Sequence, residues 1–202
     1  MLPFLALGQT VHEIPFASAN NTIELTVQNA SALNQEVVKV KVGGVPSWIR
    51  FVKSEQLINR LGGNEEKTAI FAFSVDKTAP VNTERTLSFN VSGPTNQDWI
   101  KTIAVKVVPP EYFELFQNFP NPFNPVTTIA YQLPQKGLVT LKVFNLIGQT
   151  LLTLSDAERS AGYHQEIWDA SRHSSGTYVY ELTVRFSDGK ETVARKKMMV
   201  VQ

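Results

Sequence analysis

The run Phe116-Gln117-Asn118-Phe119-Pro120-Asn121-Pro122-Phe123-Asn124-Pro125 divides the chain and sets the reading on either side of it. Its three prolines, at every second or third position, remove backbone donors, and the asparagines between them favour local side-chain turns. Such a run is neither helix nor central strand. It reads as an ordered, irregular lead-in to the downstream domain. Two phenylalanines left in water would be costly, so Phe119 or Phe123 is expected to plug into the start of that domain.

Downstream, six stretches alternate apolar and other residues: 127–133, 138–145, 149–155, 163–169, 176–186 and 190–201. They read as strands. Turn signals stand between them at Pro134-Gln135-Lys136-Gly137, Leu146-Ile147-Gly148, Ala161-Gly162, Ser174-Ser175-Gly176 and Ser187-Asp188-Gly189. In the last, Asp188-Gly189 supplies the positive φ of a tight hairpin.

Upstream, residues 22–28, 36–42, 69–75, 86–91 and 102–108 show the same alternation. The best helical candidate, 54–61, stops at Gly62-Gly63 and allows at most one helical turn. Punctuation at Gly43-Gly44, Pro46, Gly62-Gly63, Pro80 and Gly93-Pro94 suits a sandwich of about seven antiparallel strands. The fold class expected is all-β, with two immunoglobulin-like antiparallel sandwiches in tandem. They would cover 10–108 and 127–202, joined by a proline-rich linker and lead-in at 109–126, where Pro109-Pro110 favours an extended spacer. Residues 1–9 are apolar and read as a signal remnant or a docking strand.

Composition narrows the function. In 202 residues, 19 basic side chains face 18 acidic ones, a net charge of +1 that offers no electrostatic case for nucleic acid or an anionic membrane surface. The absence of cysteine rules out a disulfide scaffold, a thiolate metal site and a cysteine nucleophile. No apolar stretch approaches the roughly 20 residues of a transmembrane helix. His12, His164 and His173 sit in separate segments without helical metal-site spacing, and the carboxylate pairs Glu65-Glu66 and Asp156/Glu158 are expected in solvated loops. There is neither a nucleophile elbow nor a phosphate-cradling glycine loop. The chain reads as no enzyme, with no cofactor and no metal.

Two rings in the first half stand as candidate ligand aromatics. Trp48 is placed on the inward side of a strand through Ile49-Arg50-Phe51-Val52, with Arg50 pointing out; core packing competes there with a carbohydrate-stacking platform shared with Trp99. Trp99 follows Asn96-Gln97-Asp98 at a loop-to-strand transition.

The second half resembles the C-terminal sorting domain of type IX secretion cargo proteins. The motif Asn121, Pro122, Phe123, Asn124, Pro125, preceded by Gln117 and followed by Thr127-Thr128-Ile129 and Tyr131, opens the pattern. The glycine turn at Gly148, the strand from Gly162 to Trp168 and Asp169, the strand start Gly176 and Tyr178, and the end Lys196, Lys197, Met198, Met199, Val200 complete it. Ala170-Ser171 departs from the glycine many members carry after the aspartate. The resemblance implies an immunoglobulin-like module related to that of flagellar hook-capping proteins. It also implies passage through the periplasm, an outer-membrane secretion machinery as partner, and arrival at the cell surface or in the medium.

Edge pairing with the last strand, 195–201, is one way a receptor could reach it, with Lys196 and Lys197 giving orientation. Deletion of 196–202 is expected to leave both domains largely folded. For residues 10–108 three readings stand: a spacer or adhesion module, a carbohydrate-binding module using Trp48 or Trp99 with Tyr112, and a subunit of a surface assembly docking by residues 2–7. Other surface proteins or glycans are the partners these readings imply.

Overall fold

The structure, a computed structural model, describes residues 11–93 and 98–201. The expectations placed on residues 1–9 lie outside the described residues. Among the described residues all regular elements are strands, and the chain divides into two compact units, Met1–Val108 and Pro109–Gln202. Each is an immunoglobulin-like β-sandwich with its own core.

The first unit contains β1 (His12–Ile14), β2 (Asn21–Gln28), β3 (Val38–Val42), β4 (Ile49–Phe51), β5 (Glu55–Ile58), β6 (Glu66–Val75), β7 (Glu84–Ser92) and β8 (Asp98–Val107). A five-stranded sheet in the order β1-β8-β7-β3-β5 faces a three-stranded sheet in the order β2-β6-β4. Alternation explains the layers: in β3, Val38, Val40 and Val42 are buried while Lys39 and Lys41 are exposed. Between the sheets, the rings of Phe71 and Phe89 lie 5.3 Å apart and Phe51 meets both from the side. Against the antiparallel expectation, β1 runs parallel to β8, with His12 opposite Val105.

The helical reading of 54–61 is corrected: β5 is an edge strand paired with β3. Its apolar pair splits between faces, with Leu57 exposed and Ile58 buried, so strand pairing overrides a weak local helical signal. The placement of Trp48 on a strand is also corrected, while its ring does pack in the core. The residue occupies the turn before β4, and alternation begins one residue later with Ile49 inward and Arg50 outward. Trp48 is 8% exposed, part of the core, and is no candidate for a ligand platform.

The second unit contains β9 (Glu114–Leu115), β10 (Val126–Leu133), β11 (Gly137–Phe144), β12 (Thr150–Arg159), β13 (Gly162–Asp169), β14 (Gly176–Phe186) and β15 (Glu191–Val200). Its sheets run β13-β10-β9 and β12-β11-β14-β15. Ile129, Tyr131 and Leu133 of β10 pack with Val139, Leu141 and Val143 of β11, with Tyr180, Leu182 and Val184 of β14, and with Met198 and Val200 of β15. In the β14–β15 turn, Gly189 at φ 84° takes the left-handed position, while the Asp188 side chain accepts the Lys190 N–H. The β11–β12 turn is built alike, with Gly148 at φ 81° and the Asn145 side chain accepting the N–H groups of Ile147 and Gln149.

Candidate functional site

Residues 116–125 lie along the second unit as a strap, and each turn of the strap is fixed by a named partner. The Phe116 N–H donates to the Ala130 carbonyl, and Phe119 and Thr128 exchange both backbone bonds at 3.0 Å. Asn118 is buried: its Nδ2 donates to the Pro120 carbonyl at 3.0 Å and to Thr127 Oγ1 at 2.9 Å. The Thr127 hydroxyl donates to that same carbonyl at 2.8 Å. The peptide bonds Phe119-Pro120 and Asn121-Pro122 are cis.

Beneath the strap, Tyr180 is fully buried on the central strand β14, and its hydroxyl donates to the Phe116 carbonyl at 2.8 Å and accepts the Asn118 N–H at 2.9 Å. Burial pushes its phenol up to about 12, against the stabilising Asn118 contact. Sequence reading did not single out Tyr180. The available signal was a tyrosine at an inward position of a central strand, where its hydroxyl needs a partner.

Of the two candidate plugs, Phe123 enters the core at 3% exposure and Phe119 stays out at 80%. Phe123 sits on Trp168, with ring centres 5.5 Å apart; Trp168 in turn meets Tyr178 at 5.4 Å and His173 at 5.6 Å. Thus Phe123, Trp168 and Tyr178, spread over more than 50 residues of chain, form one aromatic cluster. Asp169 closes the turn after β13: the Ser171 N–H donates to its carboxylate at 2.8 Å and holds it below the usual carboxylate range. Ala170, at the departure from the motif, is buried and donates its N–H to the Pro125 carbonyl at 2.8 Å.

The strap reaches the last strand. Phe123 bridges Val200 in parallel: its N–H donates to the Met199 carbonyl and its carbonyl accepts from Val201, both at 3.0 Å. The Met199 N–H donates to Asn121 Oδ1 at 2.9 Å, and Gln117 Nε2 donates to the Lys197 carbonyl at 2.8 Å. The outer edge of β15 is therefore occupied from Lys197 to Val201 by the strap, whereas Glu191, Val193 and Arg195 have no strand on that side among the described residues. The expected edge pairing is corrected from the Lys197 carbonyl to the Val201 N–H, because those backbone groups already have partners.

The motif residues divide by burial. Phe123, Trp168, Met198 and Val200 are buried, Pro125, Tyr178 and Lys196 half-buried, and Asn121, Pro122, Asn124, Asp169, Gly176, Lys197 and Met199 exposed. Gly148 lies in the β11–β12 turn and Gly176 opens β14. In the first unit, Trp99 opens β8 opposite Val91 and is 54% exposed. His164 stacks on Tyr131 at 5.3 Å, and His12 is exposed. Among the described residues, no three His, Cys, Asp or Glu side chains are grouped to hold a metal ion, and no helix is long and apolar enough to cross a membrane.

Residues 117–201 match the family described as the secretion system C-terminal sorting domain. No curated protein matches the sequence. Among solved structures, the chain is similar to the CupB2 chaperone of Pseudomonas aeruginosa, with 11% identity, 94% of this chain and 98% of that chain covered, and a TM-score of 0.31. It is similar to dimeric latent PorU from Porphyromonas gingivalis at 15% identity and a TM-score of 0.38, covering 97% of this chain but 19% of that one. A Porphyromonas gingivalis W83 protein of unknown function aligns at 11% identity over 95% and 93% of the two chains, with a TM-score of 0.36. With the motif in register from Gln117 to Val201 and its aromatic members gathered in one core, residues 117–201 carry the match to the type IX secretion C-terminal sorting domain, a tail that marks proteins exported to the cell surface or the medium.

Proposed function

We propose that this chain is the non-catalytic C-terminal part of a cell-surface protein, in which residues 109–202 direct export and residues 10–108 serve as a spacer or adhesion module. The observation that carries the sorting half is the joining of lead-in and last strand into one surface: Asn121 and Phe123 hold Met199 and Val201 by three backbone-directed bonds. The motif then has two kinds of member. Phe123, Trp168, Tyr178, Met198 and Val200 build the shape, and Pro122, Asn124, Lys197 and Met199 are presented on it to the secretion machinery. For the first unit, the burial of Trp48 removes it as a ring that could share a stacking platform with Trp99. A spacer requires only what is present, a sandwich with a continuous core.

The test is expression of the full chain behind an inner-membrane export signal in a type IX-competent bacterium, followed by fractionation and intact mass. Recovery at the surface or in the medium is expected. A folded chain retained in the periplasm contradicts the reading.

A further inference from the structure

Part of the outer edge of β15 is free, and its sequence is complementary to itself. The strap holds the Lys197 and Met199 carbonyls and the Met199 and Val201 N–H groups, so the odd-numbered residues of β15 turn their backbone groups outward. By the same alternation the N–H and C=O groups of Glu191, Val193 and Arg195 face outward, and no bond engages them among the described residues. This stretch is bounded at both ends. Gln117 holds the Lys197 carbonyl on one side, and on the other the Lys190 carbonyl accepts the Phe186 N–H in the hairpin turn.

The features that ordinarily blunt a sheet edge are missing here. Residues 191–195 contain neither proline nor lysine, and β15 follows β14 from Glu191 to Val200 without a register shift. The other edge strand of the sheet, β12, meets β11 with two register shifts. Val193, in the middle of the free stretch, is 49% exposed. On the outer face of the sheet Arg195 is paired with Glu181, Val193 stands opposite Thr183, and Arg185 bonds Glu191 at 3.0 Å. A half-turn about Val193 exchanges the two charges, setting Glu191 opposite Arg195, Val193 opposite itself and Arg195 opposite Glu191. Both members of each pair have outward-facing groups, so every free group on one strand meets a partner on the other. Slippage by two residues sets Arg195 against the hairpin turn or Glu191 against Lys197, whose carbonyl is taken.

We propose that this edge joins two copies of the chain, by antiparallel β15–β15 pairing about Val193 that makes one sheet of the two β12-β11-β14-β15 sheets. Charges then alternate along each row: Arg185 and Glu191 of one copy, Arg195 and Glu181 of the other. Lys197 of the second copy, where its strap begins, stands opposite Gly189, at the point where the chain turns back to β14, so strap and pairing use separate stretches of the edge. The free groups are used up and β12 is irregular, so the assembly closes at two copies. The inference is independent of the sorting reading.

Sedimentation velocity of the full chain at rising concentration tests it. So short a pairing buries less than a standard interface, and a monomer–dimer equilibrium with a Kd of about 100 µM and no larger species is expected. A monomer at concentrations up to about 1 mM overturns the proposal. Glu191→Arg gives an edge with two arginines and Arg195→Glu an edge with two glutamates, so each alone opposes like charges and should weaken self-association by about tenfold. An equimolar mixture of the two restores opposite charges at both ends and should recover the dimer as a heterodimer. Val193→Lys brings two ammonium groups together at the axis and should weaken self-association as much. A dimer unchanged in the three variants, or a mixture of the charge variants that behaves as its separate components, overturns the proposal. All three side chains are exposed, and matched thermal transitions check that the variants fold. If Arg195→Glu fails that check through its contact with Glu181, Val193→Lys decides alone: loss of the dimer supports the pairing, and a retained dimer overturns it.

Discussion

Tyr180 shows how much of the site hangs on single polar atoms. Its hydroxyl serves two backbone groups of the strap, the Phe116 carbonyl and the Asn118 N–H, inside a region closed to water. Tyr180→Phe leaves both without a partner, and equilibrium denaturation should show a loss of about 1–3 kcal/mol. The phenol also makes a prediction in pH. Tyrosine in the unfolded chain ionises near 10, while Tyr180 stays protonated to about 12. Over that interval the folded state holds a proton the unfolded state has lost, so stability is intact below about pH 10 and falls as pH rises to about 12, by about 3 kcal/mol in all. A stability profile over that range should flatten in Tyr180→Phe; an unchanged slope would show that other groups set the alkaline limit. At Phe123 the effect is packing: its ring lies in the core against Trp168, and Phe123→Ala should cost about 3–5 kcal/mol by the same denaturation measurement. Phe119→Ala, at an exposed ring, should cost little.

At the scale of elements, the last strand is both signal and scaffold. Met198 and Val200 are core residues, so deleting 196–202 removes two buried side chains together with the partner of the strap. Contrary to the sequence expectation, that truncation should abolish the cooperative transition of the second unit, seen as loss of its near-ultraviolet circular dichroism. It is thus a test of folding, and substitution of the exposed Lys197 is the informative one for sorting. The strap gives a second outcome. When Phe123→Ala loosens it, the outer edge of β15 from Lys197 to Val201 is uncovered, and concentration-dependent self-association beyond a dimer should appear in sedimentation velocity. No species larger than a dimer at any concentration would mean that the strap holds without its plug. Long alternating strands such as β2, β10 and β14 were legible in the sequence because each carries its own period-two pattern. The short strands β1, β5 and β9 were not, since so few residues carry little periodicity and their pairing comes from distant partners.

For the whole molecule, two cores with no residue in common accompany two different degrees of legibility. In the second unit, motif residues far apart in sequence were readable as one pattern, and their physical meaning emerged only in three dimensions, where Asn121 and Phe123 bind the strand that ends the sandwich. The proline-rich run was readable as irregular because prolines remove donors; that its remaining donors and acceptors would be spent on β15 was not, because no local pattern encodes an 80-residue contact. In the first unit, composition excluded several chemistries but could not choose between a buried and an exposed Trp48, because that ring sits in the turn before β4, outside the strand's alternation. If the strap and the last strand together form the sorting surface, residues 109–202 suffice as an address. Placing this segment behind an inner-membrane export signal and a monomeric fluorescent protein in a type IX-competent bacterium, and locating the fluorescence by fractionation and surface proteolysis, tests that sufficiency. Protease-accessible fluorescence at the cell surface or in the medium is expected; a folded, intact fusion confined to the periplasm would contradict it.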